Sequence, residues 1–126
     1  MVKIIVFMKR KPGLSHAAFR KYYEEKHTRF INHLKSCVID YRRSYPMQTA
    51  TELADAFHRH ETHNSEPEFL YDCVAEAWVR DKEHLEEMYR IMSDPHLAEE
   101  IRQDEKEFLD PSSLRVLVCE EVISKL

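Results

Sequence analysis

The sequence predicts an α+β fold in which strands and helical regions follow in the order β-α-β-β-α-β. Two patterns carry this prediction. Residues 69–80 (FLYDCVAEAWVR) separate into two faces with the period of two that a strand requires. Residues 16–35 place apolar side chains three, four and seven positions apart, as one face of a helix does. Short β-branched and aromatic segments supply further strands before and after these regions.

The first strand is predicted over Val2 to Lys9, because this short segment is apolar on both faces. Pro12 and Gly13 then form a turn, since proline fixes the first central residue and glycine accepts a positive φ at the second. Gly13 is the single glycine of the chain. The sequence therefore cannot form a glycine-rich dinucleotide or phosphate loop, or the G-x-S-x-G elbow of serine hydrolases. Ser15 is a good N-cap for the helix that follows.

The remaining elements are predicted from similar local signals. Cys37 to Tyr45 forms the second strand and ends at Pro46. The third strand is residues 69–80, after which Asp81 caps a helix to about Met92. Asp94-Pro95 begins a further helical stretch, and Leu114 to Ile123 forms the last strand.

A polar segment, residues 47–68, interrupts this pattern. It has too few apolar residues for a core of its own, so we interpret it as an insertion or lid within a single domain of residues 1–126. It carries His58, His60 and His63, whose spacing is compatible with metal ligands. The spacing is not H-E-x-x-H, and no nearby cysteine completes a zinc set. Solvated histidines are favoured, and we predict no metal site.

Composition limits the partners and the location. The chain has 19 Lys and Arg against 23 Asp and Glu, a net charge of -4, which argues against nucleic-acid binding. Its three cysteines are far apart and form no C-x-x-C pair, which favours a reducing, cytoplasmic setting. No apolar stretch has the length of a membrane span, and the run at residues 4–8 is shorter than a signal-peptide core.

The predicted order is the ferredoxin-like one, with both helical regions on one face of a four-stranded antiparallel sheet. The first and last strands are nevertheless apolar on both faces. The second sheet face therefore needs cover as well. A second copy packed sheet to sheet with two-fold symmetry is the economical solution, so we predict a homodimer.

Candidate proton carriers lie on the predicted helices. His27 shares the apolar face of the first helix with Tyr23, four positions earlier. Its ordinary pKa of about 6.5 suits acid-base work, although a histidine on such a face is more often a core residue. Asp104 lies one helical turn before Phe108, on the same face. Its alternative role is that of a solvated acid on an amphipathic helix.

The third strand carries Asp72, Glu76 and Trp78 on one face. The two carboxyls are about 13 Å apart along the strand, too far for a coupled pair. If this face lines an enclosed space that His27 shares, burial raises their pKa toward acid-base work. Otherwise they pair with basic residues such as Arg43 or lie exposed at the sheet rim. Arg43 or its neighbour Arg42, of which only one can face a cavity, suits recognition of an anionic substrate.

Three blocks of the chain resemble EthD-domain proteins of the dimeric α/β-barrel superfamily. They are Lys9 to Ser15 followed by Phe19, Tyr22-Tyr23 and His27; Tyr71 to Trp78; and Asp104-Glu105 with Phe108 and Asp110. The resemblance covers nearly the whole chain except residues 47–68. It implies the ferredoxin-like fold, a homodimer forming a dimeric α/β barrel, an interior cavity between sheet and helices, and no cofactor.

The resemblance also implies a chemistry. Related proteins act as lyases, cyclases or isomerases on aromatic or polyketide-derived metabolites, and fungal members include decarboxylases and dehydratases. We therefore expect a cofactor-independent lyase that works through an enolate on a polyketide-derived small molecule. An isomerase or cyclase with the same cavity, a non-catalytic small-molecule-binding protein, and haem or metal chemistry remain alternatives.

Within this hypothesis the candidate residues have two roles. The expected catalytic residues are His27, Asp104 and Glu76. The expected substrate-binding residues are Tyr23, Asp72, Trp78, Arg43 and Phe108.

Overall fold

The computed structural model describes residues 1–47, 53, 56–57 and 71–126. Most of the predicted insertion at residues 47–68, including His58, His60 and His63, lies outside these described residues, and so do residues 69–70. The insertion and its proposed role as a lid therefore stay predictions.

Four strands form one antiparallel sheet in the order β2-β3-β1-β4. The strands are β1 (Val2–Met8), β2 (Val38–Ser44), β3 (Cys73–Val79) and β4 (Arg115–Glu120). Outside residues 48–70, the helices are α1 (His16–Glu25), α2 (Lys82–Met92) and α3 (Pro95–Phe108), with short 3-10 helices at His27–Leu34 and Pro111–Ser113. This order and connectivity are those of the ferredoxin-like α+β fold, which confirms the predicted fold class. The barrel of two paired copies stays a prediction.

Each helix begins at a capping residue that the sequence indicates. The Ser15 hydroxyl accepts a hydrogen bond from the backbone N–H of Ala18, and Asp81 and Asp94 cap α2 and α3 in the same way. Gly13 has a φ of 85°, the left-handed conformation expected for it in the turn between β1 and α1.

The first helix is shorter than predicted. We expected one helix over residues 16–35, but α1 ends at Glu25 and a 3-10 helix starts at His27. The Thr28 hydroxyl donates to the Glu24 carbonyl at 2.8 Å, and the Arg29 guanidinium donates to the Lys26 carbonyl at 2.6 Å. These side chains bond carbonyls that a continuous α-helix would pair with backbone N–H groups, which favours the tighter turn.

The core lies between the sheet and the helices. Cys73, Ala75, Ala77 and Val79 point from β3 toward the helices and are buried, as the period-two pattern predicts. Their small volumes leave room for an aromatic layer close to the sheet. That layer consists of Phe19, Tyr23 and Phe108, packed with Met8 and Leu109.

The opposite side of the sheet has no helix over it in the described part of the chain, and we call it the open face. Lys3, Ile5, Glu76 and Trp78 lie on it, because they alternate with the buried residues of their strands, and Leu117 lies on it because it pairs with Ile5. Leu117 is 50% exposed, which agrees with the prediction from sequence that the last strand is apolar on both faces. None of the described helices has the length and apolar character to cross a membrane.

Candidate active site

His27 and Asp104 meet between the 3-10 helix and α3. His27 is the first residue after the break in the first helix, and Asp104 lies one turn before the end of α3. His27 Nδ1 is 2.8 Å from Asp104 Oδ2. Asp104 is the one charged residue that is buried among the described residues, at 7% exposure. Burying a carboxylate is costly unless it is well hydrogen-bonded, so this arrangement requires specific partners.

The other carboxylate oxygen of Asp104 has those partners. The Tyr22 hydroxyl donates to Oδ1 at 2.7 Å, and the Arg29 guanidinium donates to it at 3.3 Å. Burial raises the pKa of Asp104, but the hydrogen bonds from Tyr22 and His27 and the charge of Arg29 together outweigh it. The pKa therefore lies below its ordinary value, and Asp104 is an anion at neutral pH.

The His27 ring is enclosed by aromatic side chains. Its centroid lies 4.8 Å from that of Phe108, 5.2 Å from that of Tyr23 and 5.4 Å from that of Phe30. This burial lowers the pKa of His27, and the hydrogen bond to Asp104 opposes the shift without cancelling it. The imidazole is therefore neutral at neutral pH.

The tautomer of His27 follows from its partner. An anionic Asp104 can only accept a hydrogen bond, so Nδ1 carries the proton and Nε2 carries the lone pair. Nε2 has no hydrogen-bond partner among the described residues, and the side chain is 16% exposed. A neutral imidazole that is oriented by a carboxylate and has a free ring nitrogen is equipped to act as a general base.

Next to this pair, a polar network lies under α1. The hydroxyls of Tyr23 and Tyr41 are 2.6 Å apart. Glu24 accepts hydrogen bonds from Arg43 Nε at 3.0 Å and from the Tyr45 hydroxyl at 2.5 Å. Arg43, not Arg42, therefore faces the helices, but its guanidinium already has a carboxylate partner.

The strand acid Glu76 is separated from His27 by the sheet. Glu76 forms an ion pair with Lys3 on the open face, and Trp78 donates from Nε1 to Glu121 at 2.8 Å on the same side. The expectation that His27 shares an enclosed face with the acids of the third strand is therefore wrong. Alternation along β3 sends the small residues under the helices and turns Glu76 and Trp78 away.

Asp72 also lies apart from His27. It accepts hydrogen bonds from the backbone N–H of Arg10 at 2.8 Å and from the Arg10 guanidinium at 2.9 Å, and the His16 ring lies 3.2 Å away. These contacts tie the turn after β1 to the start of β3. Asp72 thus has a structural role in the chain as described.

A surface groove of about 530 Å³ runs along the outer side of the 3-10 helix and α3, and we call it the helix groove. Its lining includes Tyr22, Arg29, Asp104 and Glu107. Asp104 therefore lies between the groove on one side and His27 on the other.

Sequence reasoning did not assign a role to Tyr22 or Arg29. Tyr22 belongs to the Tyr22-Tyr23 pair in the first of the three blocks that resemble the family, and this pair is the signal for it. Arg29 was assigned no role, because a continuous α-helix over residues 16–35 turns it away from the face that carries His27. Within the described ranges, no cluster of three or more His, Cys, Asp or Glu could hold a metal ion.

A family model for the EthD domain matches residues 11–112. The chain belongs to the EthD-domain family. This confirms the resemblance read from the three sequence blocks, two of which supply His27 and Asp104.

Individual relatives agree with this assignment. The conidial pigment biosynthesis dehydratase EthD of Metarhizium robertsii is 28% identical over 109 residues, which cover 82% of this chain and 70% of that protein. An EthD-family protein from Bacillus halodurans C-125 is 17% identical and has a TM-score of 0.64, covering 97% of this chain and 99% of that one. An EthD-like protein from Ralstonia eutropha JMP134 is 16% identical with a TM-score of 0.66, covering 98% and 94%. The two structures share the fold.

Proposed function

We propose that this EthD-domain chain is a cofactor-independent dehydratase acting on a β-hydroxy ketone of polyketide type, with His27 as its base. The observation that carries the proposal is the 2.8 Å contact between His27 Nδ1 and an anionic Asp104, which leaves Nε2 as the basic nitrogen. A relative named as a pigment-biosynthesis dehydratase supports the same reaction class.

The reaction needs one proton removed and one returned. His27 Nε2 takes the acidic proton next to the substrate carbonyl, and an enolate forms. As the enolate collapses, the carbon–oxygen bond of the β-hydroxyl breaks, and the imidazolium returns the proton to the departing oxygen. The products are the conjugated enone and water. Asp104 stabilises the transient imidazolium through Nδ1.

Dehydration fits His27 better than decarboxylation does. Decarboxylation of a β-keto acid would use His27 as an acid toward the carbonyl, which requires the imidazolium at the start. Burial lowers the His27 pKa and favours the neutral ring, even though Asp104 opposes this shift. A neutral ring is ready to remove the α-proton.

The aromatic groups beside His27 support its ring. Phe108 and Tyr23 flank this ring and are 0% and 2% exposed, so in this proposal they hold the imidazole in place, and their role as substrate-binding residues stays a prediction. Arg43 could contact an anionic substrate group only by sharing its guanidinium with Glu24. In this proposal Glu76, Trp78 and Asp72 take no part in the reaction.

The test uses a β-hydroxy tetralone, which loses water to give a fluorescent naphthol. We expect turnover by the wild-type protein and a loss of about 10²- to 10⁴-fold in kcat for His27→Ala. His33→Ala is the matched control, since His33 lies exposed on the same 3-10 helix and should leave kcat unchanged.

Three results would redirect the proposal. Equal rates in wild type and a folded His27→Ala variant would remove His27 from the reaction. Stoichiometric binding of the tetralone without naphthol would favour the non-catalytic binding protein. Release of carbon dioxide from a β-keto acid by the wild type alone would favour decarboxylation.

We also propose that two copies pair through the open face. On this face Leu117 of β4 lies beside Ile5 of β1, and Ile5 lies beside Glu76 of β3. Neighbouring apolar side chains on β4 and β1 are therefore followed by a charged side chain on β3. Leu117→Glu should shift the sedimentation coefficient to that of a single chain. Tyr89→Glu, at a site on α2 that is 52% exposed, is the control. A single-chain wild type would disprove the pairing.

A further inference from the structure

The carboxylate of Asp104 is bound from two sides, and only one of them is His27. Oδ2 contacts His27 Nδ1 at 2.8 Å, while Oδ1 accepts from the Tyr22 hydroxyl at 2.7 Å. Arg29 adds two longer hydrogen bonds to Oδ1, at 3.3 and 3.4 Å. The second oxygen is therefore shared between a neutral donor and a cation.

The break in the first helix brings Arg29 to this position. Two residues along an α-helix are about 160° apart around its axis, at about 100° per residue. In a 3-10 helix of three residues per turn the separation is about 120°. His27 and Arg29 are two residues apart in the 3-10 helix and both reach Asp104. A continuous α-helix would turn Arg29 further away from that carboxylate.

The Arg29 guanidinium is also fixed from its own side. It donates to the Lys26 carbonyl at 2.6 Å, and its Cζ lies 4.3 Å from the centroid of the Phe30 ring. Phe30 in turn packs against His27. Arg29 is half-exposed in the helix groove, at 53%, so its charge is held at a defined place at the edge of solvent.

We propose that Tyr22 and Arg29 are positioning residues that bind Asp104 Oδ1, keep this carboxylate ionised and oriented toward His27, and limit how far it draws a proton onto the ring. They thereby set the pH above which His27 Nε2 is free to act as a base. The consequence for turnover rests on the proposed dehydratase function, whereas the effect on His27 itself does not.

The direction of the effect follows from simple electrostatics. A carboxylate alone raises the pKa of a neighbouring histidine, because it stabilises the imidazolium. A cation on the far side of the carboxylate weakens this stabilisation and also repels the imidazolium directly. The charge of Arg29 thus acts with burial, which is the larger cause, to lower the His27 pKa.

Other titratable or charged groups face the pair from each surrounding element. They are Tyr22 and Tyr23 from α1, Arg29 from the 3-10 helix, and Glu105 and Glu107 from α3. Burial and the Asp104 hydrogen bond raise the pKa of Tyr22 to about 12, so it stays a donor across the working pH range. Arg29 is the nearest of these groups that combines a fixed positive charge with a direct bond to Asp104.

The test measures the His27 pKa by NMR on protein labelled with ¹⁵N-histidine. Arg29→Gln should raise this pKa by about half a unit to one unit, since a half-exposed cation is screened by water. Tyr22→Phe should raise it by less, because it removes a hydrogen bond and no charge. Arg29→Lys should keep the pKa close to that of the wild type. The acidic limb of kcat/KM should move with the measured pKa in each variant.

The matched control is Arg102→Gln, which removes a cation from α3 that pairs with Glu99 on the outer surface. It should leave the His27 pKa unchanged. An unshifted His27 pKa in folded Arg29→Gln would overturn the inference. If Arg29→Gln does not fold, Tyr22→Phe and Arg29→Lys test the same inference. The inference would be overturned if the His27 pKa were unchanged in Tyr22→Phe and raised in Arg29→Lys. A shifted pKa in a protein without dehydratase turnover would instead keep the inference and disprove the proposed function.

Discussion

Asp104 and Glu76 are both acids close to an aromatic residue in the sequence, yet they lie on opposite sides of the sheet. The Asp104 side chain is 6% exposed and bonds to Tyr22, His27 and Arg29. The Glu76 side chain is 23% exposed and pairs with Lys3 on the open face. The difference lies in surroundings and not in residue type. Only the acid under the helices is placed to control the proton of a histidine.

On the open face, charged side chains surround the Trp78 ring. Lys3 lies 5.1 Å and Arg42 lies 5.2 Å from the centroid of the Trp78 ring, and Lys3 also contacts Glu121 at 3.3 Å. Such partly exposed pairs contribute little to the stability of a single chain. The helix side should therefore respond strongly to substitution, and the open face should respond weakly unless a second copy covers it.

The largest contrast is expected between two apolar residues. Phe108 is completely buried beneath His27, so Phe108→Ala should lower the free energy of unfolding by about 3–5 kcal/mol. Leu117→Ala, at a half-exposed site on the open face, should cost about 1 kcal/mol or less at low protein concentration. Urea unfolding followed by circular dichroism measures both. Equal losses would mean that the two faces are buried alike in the folded unit.

The next contrast is between the two acids themselves. Asp104→Asn should lower the free energy of unfolding by about 1–3 kcal/mol, because the amide leaves buried donors incompletely paired. It should also lower dehydratase kcat by about 10²-fold or more, since the amide cannot stabilise the imidazolium. Glu76→Gln is the matched control, and we expect it to change neither quantity measurably. A Glu76→Gln protein with the larger kinetic defect would place the reaction on the open face.

The local signals in the sequence were sufficient for the fold. Alternation in β3, the turn at Gly13 and the caps at Ser15, Asp81 and Asp94 each depend on a few neighbouring residues, so single-sequence patterns capture them. The break after Glu25 could not be predicted in this way. It depends on the Thr28 and Arg29 side chains bonding backbone carbonyls in competition with the helix.

The sequence predicted only part of the candidate site. The His27 and Asp104 faces were read correctly from helical spacing, and the structure brings these two residues together. Alternation along β3 separates Glu76 from the small residues Cys73, Ala75 and Ala77, which suit close packing against helices. The register of β3 between β1 and β2 agrees, with Ala75 under the helices and Glu76 on the open face. The expectation that was wrong is that His27 shares the face of Glu76, because the sequence of a strand carries no local signal of which side a distant histidine packs against.

The smallest expected effect is a pH dependence of stability that comes from His27. Its pKa in the folded chain lies below the unfolded value of about 6.5, chiefly because it is buried. Between these two values the unfolded chain binds more protons than the folded one, so the free energy of unfolding rises with pH. The contribution is complete above about pH 6.5 and is lost as the pH falls toward the folded pKa. His27→Gln does not titrate, so its stability curve should be flatter than that of the wild type in this window.

This pH effect can be separated from that of Asp104 and from the other histidines. Asp104 also has a lowered pKa, so its contribution is present above its unfolded value of about 3.9 and is lost only at lower pH. The window of His27 begins at about pH 6.5, and that of Asp104 begins only at about pH 3.9. His33→Gln, on the same 3-10 helix but exposed, should retain the wild-type slope near neutral pH. If wild type and His27→Gln instead give parallel curves from about pH 7.5 to 5, His27 takes up its proton equally well in the folded chain. Such a histidine would be half-protonated near its ordinary pKa. The contrast between a buried helix side and a more exposed open face would then not include His27, the proposed base.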